Sequence, residues 1–84
     1  MRRESAMPKF RFQQITPRGL WTSPGVFEAE YDEIVEMVHG AHAPGQPRAA
    51  VEADSARVIY ALDAQGNPTD AAAQLFAASP TKAA

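Results

Sequence analysis

The chain of 84 residues predicts an α+β fold. A small antiparallel sheet, an N-terminal hairpin plus one or two further strands, packs against one amphipathic helix, and a short C-terminal helix follows. Three observations predict it. Lys9-Phe10-Arg11-Phe12-Gln13 alternates polar and apolar side chains, the period of a half-buried strand. Phe27, Tyr31, Ile34, Val35 and Val38 recur at offsets that bring them onto one stripe of a helix. Val58-Ile59-Tyr60 is a compact β-branched and aromatic run bounded by turn residues.

The hairpin comes first. Thr16-Pro17-Arg18-Gly19 has proline at the second and glycine at the fourth position of a turn, so Leu20-Trp21-Thr22 is predicted to return as the second strand. Ser23-Pro24 then carries the residues of a helix start, a serine N-cap with proline at the first helical position. Phe27-Glu28-Ala29-Glu30-Tyr31-Asp32 also alternates with period 2. Glutamate and alanine favour helix over strand, however, and the helical period extends further along the chain. The helical reading therefore prevails, with Gly40 as its terminator and Pro44 beyond it.

Gly40, Pro44, Gly45 and Pro47 make residues 40–48 a loop. Residues 49–63 fit two patterns, because Val51, Ser55, Val58, Ile59 and Leu62 also suit one helix face. The run at 58–60 favours a strand at about 57–62, paired with another at 49–53. Asp63-Ala64-Gln65-Gly66-Asn67-Pro68 is a turn. Thr69 or Asn67 is then placed to cap a helix over residues 70–78, anchored by Leu75 and Phe76, with Asp70 near its positive end. The expected organisation is a tail at 1–8, a single domain at 9–78 and a second tail at 79–84.

Composition narrows the function classes. Absence of cysteine excludes disulfides, thiolate metal sites and cysteine nucleophiles. Small secreted domains usually carry disulfides, so the expected compartment is reducing. No apolar stretch of signal-peptide length follows the basic Met1-Arg2-Arg3, and no run approaches the roughly 18 apolar residues of a membrane span. A cytoplasmic location without membrane contact is the resulting expectation. Charge is unevenly spread. Residues 1–26 hold Arg2, Arg3, Lys9, Arg11 and Arg18 against Glu4, whereas residues 27–84 hold Arg48, Arg57 and Lys82 against nine acids. Such asymmetry marks either a contact surface or two mutually attracting faces.

The residues offer four kinds of chemistry. Glu36-x-x-His39-x-x-His42, with Asp32 one turn earlier, has the helical spacing of a carboxylate–imidazole metal site. It straddles Gly40 and lacks a second ligand pair, so a solvated acidic face with histidine near a helix C-terminus is the preferred reading, and no metal is expected. Phe10, Phe12 and Trp21 beside Lys9, Arg11 and Arg18 resemble stacking rings interleaved with phosphate-binding cations. Alternation nevertheless sends Phe10 and Phe12 to the face opposite Arg11, where they belong to the core. An exposed Trp21 would count the other way. Catalysis has no motif to support it: there is no Gly-x-Ser-x-Gly elbow, no phosphate-cradling glycine loop and no His-Glu-x-x-His.

Protein recognition is the class that remains. The expectation is a non-enzymatic protein-binding module acting by contact, as an accessory, inhibitory or structural component, with no cofactor. Glu28, Asp32 and Glu36 form its acidic helix face, and Arg11, Arg18 and Trp21 form a complementary patch that a second copy would also present. The alternatives are a nucleic-acid binder using the basic hairpin and a structural assembly subunit.

Overall fold

The computed structural model describes residues 7–77. Residues 1–6 and 78–84 lie outside the described residues, and with them most of the predicted tail at 1–8, all of the predicted tail at 79–84 and the last residue of the predicted helix at 70–78. Between them run β1 (Lys9–Thr16), β2 (Gly19–Thr22), β3 (Phe27–Glu28), α1 (Tyr31–Ala41), β4 (Arg48–Glu52), β5 (Val58–Leu62) and α2 (Asp70–Ala77). The fold is α+β, a five-stranded antiparallel sheet in the order β2-β1-β4-β5 with β3 also paired to β1. Among the described residues no helix is long and apolar enough to cross a membrane.

The alternation read in Lys9–Gln13 sets the two faces of the sheet. Phe10 and Phe12 point to the first face, together with Ala50 and Leu62 from the neighbouring strands, and are covered by Ile34 and Val38 of α1. The second face carries Ala49, Val51 and Ala61, covered by Ala72 and Phe76 of α2. Strand β4 is thus buried on both sides. Its run Ala49-Ala50-Val51 is apolar throughout rather than alternating, as strands covered on both faces are. Small side chains there let each helix approach the sheet closely.

The main departure from expectation lies between residues 23 and 30. Helix α1 begins at Tyr31, not after Ser23-Pro24, because Phe27-Glu28 is extended and pairs with Lys9 and Phe10. Phe27 gains more from stacking than from a helical stripe: its ring centroid lies 5.2 Å from that of Phe12 and 6.0 Å from that of Phe10. The helix start is set instead at Glu30, whose backbone N–H donates to the Glu33 carboxylate at 3.3 Å, half of a capping box. At the other end α1 runs one residue past Gly40 and closes through the His42 N–H to the His39 carbonyl.

Ser23 has another task. Strands β2 and β3 share one edge of β1, but their registers differ by two residues, so Ser23–Val26 form a bulge. The Ser23 N–H donates to the Phe12 carbonyl at 2.8 Å, and its Oγ accepts the Phe12 N–H at 3.0 Å. The hydroxyl replaces the backbone carbonyl that the bulge takes out of register. Ser23 is 5% exposed, so a Ser23→Ala variant leaves a buried N–H without an acceptor. The expected loss is about 1–3 kcal/mol in a urea titration; a loss below about 0.5 kcal/mol would mean that water or the bulge backbone substitutes freely.

The remaining turns follow the sequence closely. Thr69 caps α2, its Oγ1 accepting the Ala72 N–H at 3.0 Å. Asp63 Oδ1 accepts the N–H groups of Gln65 and Asn67, both at 2.9 Å, which closes the turn after β5. Gly66 sits there at φ +87°, with the His42 ring 3.4 Å from where a Cβ would project. Any side chain at Gly66 meets both backbone strain and that ring.

Candidate functional site

The side chains singled out in the sequence do not form one patch. Arg18 is exposed in the β1–β2 turn. Trp21 lies opposite Gln14 and therefore on the first face, whereas Arg11 lies opposite Val51 on the second. The sheet separates Arg11 from Trp21, and this divides the proposed complementary surface. On the acidic side, Asp32 and Glu36 stand one turn apart on the exposed side of α1, away from Ile34 and Val38. Glu28 is exposed but belongs to β3 and lies opposite Lys9. The acidic helix face consequently loses one of its three members.

Both histidines are engaged away from any shared metal geometry. His39 Nε2 lies 2.8 Å from the Tyr60 hydroxyl, and His42 Nε2 lies 2.8 Å from the Asp63 carbonyl. Tyr60 also packs edge-on against Tyr31, with ring centroids 6.2 Å apart. Burial, followed by the neighbouring Tyr31 phenol, holds the Tyr60 hydroxyl above its ordinary pKa. Among the described residues no three histidine, aspartate or glutamate side chains converge as a metal site would require.

Arg11, Gln13 and Thr22 line a depression on the second face, closed by Val51, Glu52, Ala53 and Ala56, of about 100 Å³. That is well below the roughly 300 Å³ at which small-molecule clefts begin. Arg11 Nε is buried there without a hydrogen bond.

Four of the exposed large apolar side chains lie along the outer edge formed by β2, β3 and the bulge between them. Leu20 is 45% exposed, Trp21 44%, Val26 46% and Phe27 43%. These four large apolar side chains fall within eight residues at one edge, Trp21 and Phe27 on the first face and Leu20 on the second, and exposed apolar side chains grouped in this way mark a contact site. Behind Trp21 lies a residue that sequence reading passed over, Arg48. Its guanidinium carbon sits 5.0 Å from the centroid of the Phe12 ring and 5.8 Å from that of Trp21. Both distances lie within cation–π range. Arg48 Nη1 donates to Gln14 Oε1, and Gln14 Nε2 donates to Gln46 Oε1. Its Nε is buried without a hydrogen bond. Burial draws the guanidinium pKa down from its usual value, yet a guanidinium stays charged at neutral pH. Trp21, Arg48, Phe12 and Phe27 together form a continuous aromatic–cationic strip on the first face.

Fold and surface define a small α+β domain with one open, aromatic sheet edge. Comparison with protein-family models, with curated proteins and with solved structures returns no match to this chain.

Proposed function

We propose that this chain is a non-enzymatic protein-binding module that acts by contact, and that it meets its partner through the β2–β3 edge. One observation carries the reading: Leu20, Trp21, Val26 and Phe27 stand exposed along a single strand edge. Two of the residues named from sequence, Arg18 and Trp21, belong to this surface. Asp32 and Glu36 are assigned a secondary part, steering a basic region of the partner toward the opposite side of α1.

Trp21 is the central anchor, since tryptophan beside arginine is the composition of interface hot spots. The test is capture of partners from native lysate by the tagged protein, with and without nuclease, using wild type, Trp21→Ala and Glu36→Lys. A nuclease-resistant protein is expected on the wild type, bound about 30-fold more weakly by Trp21→Ala, equivalent to about 2 kcal/mol. Glu36→Lys should change affinity by no more than a few fold. Capture that ignores Trp21 would place the contact elsewhere. Capture that vanishes with nuclease would favour the nucleic-acid alternative, for which the exposed Trp21 ring and the Arg48 cation would serve as stacking platform and phosphate contact.

A further inference from the structure

We propose that the β2 edge accepts an extended, acidic segment of the partner as an added antiparallel strand. This rests on the reading of the edge as the contact surface and specifies what fills it.

Backbone geometry makes the first argument. The bond from the Ser23 N–H to the Phe12 carbonyl identifies Phe12–Ser23 as a hydrogen-bonded pair. Gln14–Trp21 lies two residues along the same antiparallel register and is the next such pair. The N–H and C=O of Trp21 therefore point into the sheet. Those of Leu20 and Thr22, the alternate residues, point outward. Leu20 and Thr22 thus present two donors and two acceptors in the spacing that one extended chain satisfies.

The window has defined ends. The Pro17–Arg18 turn closes one side, and on the other the bulge at Ser23–Val26 contains Pro24, which has no N–H to offer. Between them, Gly19–Thr22 carries none of the proline, lysine or bulge devices that protect sheet edges. Leu20 on one face and Trp21 on the other are each about half exposed, so an added strand has an apolar contact on both of its sides.

Charge selects the occupant. Lys9 is faced by Glu28, but from Phe10 to Phe27 the chain holds Arg11 and Arg18 and not one acid. Arg48 adds a further cation beside Trp21. A second copy matches this poorly. Pairing two β2 edges about a dyad at Trp21 would set one edge that carries no acid against another, with no opposite charge to attract them. The acids of a second copy that cluster, Asp32, Glu33 and Glu36, are held in a helix and form no strand. An extended acidic segment fits both the backbone and the field.

Two soluble peptides of about twelve residues test this, one alternating valine with glutamate and the other valine with lysine. Trp21, the single tryptophan, reports binding by fluorescence, and amide hydrogen exchange reports its geometry. The glutamate peptide is expected to shift Trp21 emission and to slow exchange at Leu20 and Thr22 about tenfold or more, with Trp21 itself unchanged. Its affinity should fall with added salt, and the lysine peptide should do neither. Thr22→Pro, which removes an outward N–H, should abolish binding; if the proline variant does not fold, Trp21→Ser should abolish the protection at Leu20 and Thr22, read by amide exchange alone because this variant has no tryptophan. Equal binding of both peptides, or binding without protection at Leu20 and Thr22, overturns the proposal. So does protection that appears with rising protein concentration alone, or stronger quenching by single-stranded oligothymidylate. In the first two cases the contact-module reading still stands if partner capture depends on Trp21.

Discussion

Replacing Phe10 by alanine is expected to cost about 3–5 kcal/mol and to leave little folded protein at physiological temperature. The side chain is fully buried and is the point where three elements meet. Its ring meets Phe12 edge-on at 5.2 Å and Phe27 at 6.0 Å, and the same cluster includes Ile34 and Val38 of α1. Removing it opens a cavity under the helix and also takes away one of the two rings that hold β3. A domain of this size has a total stability of about 4–13 kcal/mol at roughly 0.05–0.15 kcal/mol per residue. The loss is therefore a large share of the whole. Urea denaturation measures it as a lower midpoint at unchanged slope. Tyr31→Ala, at a site 53% exposed, provides the comparison and should cost less than about 1 kcal/mol. Similar values for the two variants would show that the core is not centred on Phe10.

The same cluster explains what was legible in the sequence and what was not. Strand β1 was readable because its alternation is local and its two rings share a face. The α2 cap at Thr69 was readable because the hydroxyl and the Ala72 N–H lie three residues apart. Phe27 is ambiguous in the sequence for a physical reason. Its spacing to Tyr31 suits a helix and its alternation suits a strand, and local propensity favours the helix. A contact with Phe10 and Phe12, distant in sequence, decides in favour of the strand. Ser23-Pro24 misled in the same way, since a serine before proline caps helices and also suits a bulge. Pro24-Gly25 was the available warning, as turn punctuation inside a supposed first helical turn.

The site was less legible than the fold because it depends on register. Arg48 meets Trp21 only because β4 and β2 flank β1 with Arg48 and Trp21 both opposite Gln14. A shift of one residue in either pairing would send one of them to the other face. Arg11 shows the converse: it is close to Trp21 along the chain in the hairpin, yet on the other side of the sheet. Charge counts along the sequence could detect a basic hairpin but could not say which cation accompanies the exposed ring.

The second face rests on a thinner support, and Phe76→Ala is where that should show. Helix α2 spans eight residues, a length at which an isolated helix is not stable in water. It persists because it packs on the sheet, and Phe76, at 2% exposed, is the largest side chain doing so. Its other buried contact is Ala72, beside Ala49, Val51 and Ala61. Alanine at position 76 would leave Ala72 and Ala73 as the helix's contribution to this cluster, facing Ile15, Val51 and Val58 of the sheet, at a cost of about 3–5 kcal/mol. Unlike Phe10→Ala, this change acts first on one element. Amide exchange in α2 should accelerate ahead of that in β1 and β4, because the Phe10 cluster on the first face keeps its own contacts. Uniform acceleration throughout the sheet would instead show that the two cores open as one unit. That outcome would make α2 part of the framework on which the β2 edge is held, through Ile15, which packs against the α2 cluster and pairs with Leu20.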